Sequence, residues 1–181
     1  MTKSLPKSVL AGLLSLAALV SAHGGISSAQ ETPLINWAPP LEPPLNLINL
    51  YRQPNSDYSA GHRGIDYQVT LGQSVLAPAD GEVWFSGKVV NRQLISLKHP
   101  DGNLTEFEPV CTDLEKGEPV FLGQEIGQVC KADSNYRQHC QEATCLHFSI
   151  RQLGEYLSPQ VFIGGINPSR LLAQTTQRGG S

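Results

Sequence analysis

The chain has 181 residues, with 13 Lys or Arg against 16 Asp or Glu, a formal charge of −3, and 40% hydrophobic residues. That length suits one domain with its own core plus a targeting segment. The acidic balance and the lack of any Lys/Arg cluster exclude a nucleic-acid-binding surface, which needs clustered cations to meet phosphate.

The first residues read as a secretory signal over 1–22. Lys3 and Lys7 precede an apolar run at 9–20, and Val20-Ser21-Ala22 supplies a small-residue cleavage site, with Ser27-Ser28-Ala29 as an alternative end at 29. A run this short does not cross a hydrocarbon layer of about 30 Å, so no membrane span is expected after cleavage. Removing residues 1–22 takes two lysines and no acids, leaving 11 basic against 16 acidic groups, a charge of −5. No cysteine precedes Cys111, which argues against a lipid anchor. Residues 23–45 form a leader, proline-rich from 30 onward and without hydrophobic period.

A single domain is expected over 46–172, followed by a polar, frayed tail at 173–181. Helical periodicity is nearly absent within the domain. Short apolar runs at 82–86, 94–98, 104–110, 119–122, 125–129 and 146–151 alternate with turn signals every eight to twelve residues or so, which predicts a compact all-β domain of antiparallel sheets. Pro100-Asp101-Gly102-Asn103 is the best hairpin turn, since Gly102 accepts a positive φ. Helix is expected only over 167–174, behind Asn167 as cap and Pro168 at the first position. Four cysteines (Cys111, Cys130, Cys140 and Cys145) in an exported chain predict two disulfides; the count alone leaves three pairings open.

Two segments carry donors. His62 and Asp66 stand four apart between glycines, a spacing that lets both side chains converge if the chain turns or bulges between them. Downstream, Cys145, His147 and Ser149 share one face of an alternating strand while Leu146, Phe148 and Ile150 share the other. The apolar face belongs in a core, so His147 points toward a cleft or solvent. His62, Asp66 and His147 together make a three-donor set for one zinc ion with a fourth position left for water, the pattern of catalytic rather than structural zinc. His99, beside the hairpin turn, reads as structural. Tyr58, Trp84 and Tyr136 read as packing aromatics with a groove-lining alternative.

The runs G-H-R-G-I-D at 61–66, V-L-A-P-A-D-G-E-V at 75–83, G-E-P-V-F-L-G-Q-E-I-G-Q-V at 117–129 and C-L-H-F-S-I-R at 145–151 together resemble the lysostaphin-type zinc endopeptidases, which cut peptide cross-links in peptidoglycan. The resemblance covers about residues 37–172. It implies their antiparallel β-sandwich (duplicated hybrid motif-like) fold and zinc ligands at His62, Asp66 and His147. It also implies peptidoglycan peptide as substrate and an extracytoplasmic location. Two further histidines usual in that family are replaced here by Pro109 and Cys145, as in a secreted bacterial subgroup with an E-P-V strand and an H-C pair before the C-L-H strand, matched here by His139-Cys140. Without them, proton transfer falls to His139 first and Glu108 second. Glu108 is expected to face away from the cleft unless the strand bulges at Pro109.

Within that resemblance the favoured disulfides are Cys140–Cys145, tethering His139 near the ligand strand, and Cys111–Cys130, stapling the strand after Pro109. Cys145 as a thiolate zinc ligand, or as a free thiol, remains an alternative. Two functions compete: a secreted zinc metalloendopeptidase remodelling peptidoglycan, and a zinc-retaining but catalytically silent domain that binds cell-wall peptide or a protein partner in the envelope. A lipoyl- or biotinyl-type carrier shares the V-x-A-P and G-Q-x-I-G patterns but needs a modifiable lysine at a hairpin tip, which is lacking.

Overall fold

The computed structural model of the chain describes residues 37–132, 140 and 144–164. The expected signal, the tail and the 167–174 helix lie outside these residues. Among the described residues, eleven strands form two antiparallel sheets. The larger runs β1(Leu47–Asn49), β2(Ile65–Gln68), β10(Cys145–Gln152), β6(Leu104–Glu108), β5(Arg92–Lys98), β4(Gly81–Val89) and β8(Pro119–Val120), with β11(Glu155–Leu157) also on β10. The smaller runs β3(Ser74–Leu76), β9(Glu125–Val129) and β7(Val110–Cys111). The all-β expectation holds. Five of the six expected apolar runs coincide with one strand each; the sixth, 104–110, is split into β6 and β7 at Pro109, whose missing N–H interrupts a ladder.

The core forms where the two sheets' apolar faces meet. Ile65, Ile95, Leu97, Phe107, Leu146, Phe148 and Ile150 of the large sheet share one buried cluster with Val75, Val110, Ile126 and Val129 of the small one. Phe107 and Phe148, paired in the β6–β10 ladder, stack with centroids 5.0 Å apart and planes 4° from parallel. Each such side chain contributes roughly 1.5–3 kcal/mol by leaving water. The opposite face of the large sheet is thereby left for polar side chains, and an open cleft lies there.

Part of the stretch read as a leader belongs to this domain. Leu41 is buried in the core cluster, and the backbone bonds Ala38 N–H to Pro78 O and Leu76 N–H to Pro40 O (both 2.8 Å) bind the segment down. Its prolines hide no ladder pattern, because they run along the domain without entering a sheet. A four-residue helix, α1(Gln160–Ile163), was not expected; Pro159, already at helical φ, starts it.

His99 is structural, as anticipated. It is 2% exposed, its Nδ1 lies 2.8 Å from Asp80 O, its Nε2 lies 2.9 Å from Thr105 Oγ1, and its ring packs on Trp37. Burial pulls its pKa below the ordinary 6.5 despite the Asp80 carbonyl. The folded state therefore holds the neutral ring while the unfolded chain takes up a proton. The stability this supplies is complete above pH 6.5 and is lost as pH falls through the window below it. Denaturant titrations at pH 7.5 and 5.5 should show a larger acid loss in the wild type than in His99→Gln; equal losses would remove this account.

A candidate metal centre in an open cleft

Ladder register builds the site. Asp66 on β2 pairs with His147 on β10, and His147 pairs on its other side with Glu108 on β6. Directly opposed residues of an antiparallel pair leave the sheet on the same side. Asn49 on β1 opposes Asp66 in turn. Asn49, Asp66, His147 and Glu108 thus form one polar row across four adjacent strands. His62 enters from an isolated bridge with Arg52, one residue beyond Gly61. Gly64 makes room for the convergence: a Cβ there would sit 2.4 Å from Phe148 O and 2.6 Å from His147 Nε2.

The three donors converge tightly. His62 Nε2 lies 3.1 Å from Asp66 Oδ1 and 3.3 Å from His147 Nδ1, and His147 Nδ1 lies 2.7 Å from the same Oδ1. Orienting contacts surround them. His62 Nδ1 donates to Leu50 O at 2.8 Å, which turns Nε2 toward the site, and Asn49 Nδ2 donates to Asp66 Oδ2 at 2.8 Å. Burial would raise the Asp66 carboxyl, but hydrogen bonds from His147, His62 and Asn49 outweigh it and hold the group well below the ordinary carboxylate range. Burial likewise lowers His62, and its bonds to Asp66 and Leu50 O more than reverse that, leaving it above its usual value. A cation bound by these donors would compete with the proton that these contacts favour on His62.

This donor set fits zinc. Ligands at 2.0–2.2 Å on tetrahedral corners stand roughly 3.3–3.6 Å apart. The two histidines already have that spacing; the His147–Asp66 pair must open by about 0.6 Å and the His62–Asp66 pair by about 0.2 Å. Cys145 is bonded to Cys140 and so offers no thiolate, while Cys111 is bonded to Cys130; both favoured disulfides form.

Residues 60–159 match the family model for peptidase family M23. The chain belongs to that family. A protein of Mycobacterium tuberculosis known only as uncharacterized is 31% identical over 174 residues, covering 96% of this chain, and this chain spans 63% of that relative. The murein hydrolase activator NlpD of Escherichia coli is 29% identical over 132 residues, which is 71% of this chain and 31% of that protein. The catalytic domain of lysostaphin from Staphylococcus simulans shares the fold at TM-score 0.55 and 19% identity, covering 67% of this chain and 93% of that one. A chain of the SpoIIQ–SpoIIIAH pore-forming complex shares it at 0.60 and 21%, covering 71% and 91%.

In this M23 domain His62 and His147 open onto a cleft of about 640 Å³, and Asp66 lies fully buried behind them. Glu108 lines the cleft, contrary to the sequence expectation. Thr105 and Phe107 occupy the core side of β6, fully buried, so Glu106 and Glu108 alternate onto the cleft side without any bulge. Glu108 is 6% exposed and its Oε2 lies 2.5 Å from Arg92 Nε. His139 and Tyr136 lie outside the described residues. Trp84 lines the cleft, with the Lys98 and Lys116 ammonium groups 4.9 and 5.0 Å from its ring centroid, whereas Tyr58 is fully exposed away from it. The sequence reading missed Asn49, Arg92, Glu106, Arg151 and Tyr156. For Glu106 and Arg151 a signal existed in their alternation with Glu108 and His147; for Asn49, 17 residues from its partner, there was none.

Proposed function

We propose that this chain is an exported, zinc-dependent endopeptidase acting on peptidoglycan peptides in the cell envelope, with Glu108 as its proton-accepting group. The observation that carries this reading is the Asp66–His147–Glu108 row, in which a carboxylate stands next to the ligand histidine on the open side of the sheet. Zinc, when bound by His62, Asp66 and His147, supplies a Lewis acid that polarises a carbonyl and lowers the pKa of water. Glu108 takes the proton from the attacking water and returns it to the leaving amine, the role that the two missing histidines would share. Asn49 and the Leu50 carbonyl hold the ligands so that the site does not rearrange during the reaction. Membership of M23 and the likeness to a murein hydrolase activator support peptidoglycan as the target. His139, the residue before Cys140 in sequence, is the second candidate for the proton-transfer role.

A second reading is a silent domain that binds zinc and cell-wall peptide or an envelope partner. Pro109 and the disulfide-bonded Cys145 at the usual histidine positions favour it, as does a relative named as an activator. One assay separates the two: zinc-loaded protein is incubated with purified peptidoglycan and newly released amino groups are counted, with His62→Ala as control. Release above the control is expected, falling by about 10²–10⁴ in Glu108→Gln at unchanged zinc content. A comparable fall in His139→Gln instead would move the role there, and no release above His62→Ala leaves the silent domain.

A further inference from the structure

The cleft is cation-rich in an acidic chain. Among the described residues Arg63, Arg92 and Arg151 line it beside Glu106 and Glu108, and no lysine does, although the sequence carries 16 acids against 13 bases. Guanidinium presents a planar fork that matches a carboxylate, which an ammonium does not. Two of the three sit on one side of the cleft around Tyr156: Arg63 and Arg151 lie 5.9 and 5.7 Å from that ring's centroid, and Arg151 Nη2 also reaches Glu106 Oε1 at 3.4 Å. Arg92 is different. It comes from the first position of β5, after the β4–β5 hairpin turn, and its guanidinium meets Glu108, the carboxylate next to the ligand row. Its side chain is 34% exposed while that of Glu108 is 8% exposed, so the pair presents the arginine to solvent and the acid to the floor.

We propose that Arg92 is the specificity-determining residue of this cleft, selecting peptides that carry a free carboxylate; this rests on the peptidoglycan-peptide reading above. Guanidinium has five N–H bonds, and here Glu108 Oε2 meets it as an ion pair, 2.5 Å from Nε. A substrate carboxylate entering beside the metal site competes with Glu108 for the same fork. Its capture draws Arg92 from Oε2 and frees the oxygen that would accept the proton. Recognition of the carboxylate and release of Glu108 are then a single exchange of partners, and a peptide without the carboxylate leaves Glu108 held.

The test is calorimetric binding of a stem peptide released from peptidoglycan, with its carboxylates free or converted to carboxamides, to the full chain in metal-free and zinc-loaded forms. The metal-free arm prevents direct contact between carboxylate and metal from imitating the effect. The free acid should bind roughly tenfold more tightly than the carboxamide in both forms, as one charge-assisted contact predicts. Arg92→Gln should bring that ratio to near one, and Arg92→Lys, which keeps the charge but not the fork, should retain part of it. Equal affinities in the wild type, binding of neither peptide, or a ratio that survives Arg92→Gln would overturn the proposal. The hydrolysis assay is read separately: discrimination at Arg92 without amino-group release would sink the peptidase and keep the selectivity, and release without discrimination would do the reverse.

Discussion

Asp66→Ala is expected to empty the metal centre. Wild-type protein should carry close to one equivalent of zinc and the variant less than about a tenth, by metal analysis after gel filtration. An apparent zinc binding free energy of about 10–16 kcal/mol spread over four donors assigns about 3 kcal/mol, or roughly 10²-fold in affinity, to each. Asp66 counts for more than a share, because its Oδ1 also holds His62 and His147 at 3.1 and 2.7 Å before any ion arrives. The carboxylate is fully buried, so truncation strands Asn49 and two imidazoles around a polar gap. Breaking a buried ion pair in this way costs about 3–5 kcal/mol. The loss has a pH signature in metal-free protein. The lowered Asp66 pKa supplies stability present above its unfolded value of 3.8 and lost as pH falls through the folded one. The raised His62 pKa supplies stability present below 6.5 and lost as pH rises through the folded value. Metal-free wild type should therefore exceed metal-free Asp66→Ala by most between pH 3.8 and 6.5. Asp66→Asn, which keeps the shape without the charge, should recover packing but not zinc. A full equivalent of zinc in Asp66→Ala would refute the ligand assignment.

The same row of residues marks how far the sequence could be read. Alternation around His147 was plain, since Leu146, Phe148 and Ile150 could only face a core, and the side of β10 that carries His147 followed from period two alone. The partners of His147 did not follow. Which residue of β2 or β6 lies opposite it is set by register, and register is a long-range property: Asp66 and His147 are 81 residues apart. Glu108 was misplaced because its face was counted from Pro109, where the strand ends and the chain passes to the smaller sheet; counted from Phe107, the core residue, it lands on the cleft side. Strands β1, β3 and β11 are three residues each, too short for a period to show. β2 overlaps only the end of the G-H-R-G-I-D run, and at four residues it too is short for a period to show. The Arg92–Glu108 pair, formed across two strands from a hairpin, had no local signature at all.

Gly64 is where packing and chemistry meet, and Gly64→Ala is expected to damage both. The residue is not in the left-handed region, so alanine's backbone preferences raise no objection; the obstacle is space. The added methyl would fall 2.4 Å from Phe148 O and 2.6 and 2.7 Å from Nε2 and Cε1 of His147. Phe148 O belongs to a strand clamped between β2 and β6, with Phe148 opposite Ile65 on one side and Phe107 on the other, so it cannot retreat without opening a ladder in the core. The imidazole can move, but only by carrying Nδ1 away from Asp66 Oδ1 and His62 Nε2. Overpacking of this kind costs about 1–3 kcal/mol in the metal-free protein. A further loss should appear on adding zinc, because the moved ring no longer completes the donor set. Gly102→Ala is the matched control: Gly102 has φ 85° and nothing within 4 Å of an added Cβ, so the substitution strains only the turn, by about 1–2 kcal/mol, and should leave zinc affinity untouched. Thermal melts of both variants with and without zinc decide the matter. Equal stabilisation by zinc in Gly64→Ala and Gly102→Ala would mean that the glycine serves the sheet alone; a zinc increment missing only from Gly64→Ala would tie the close approach of β2 and β10 to the metal site they build.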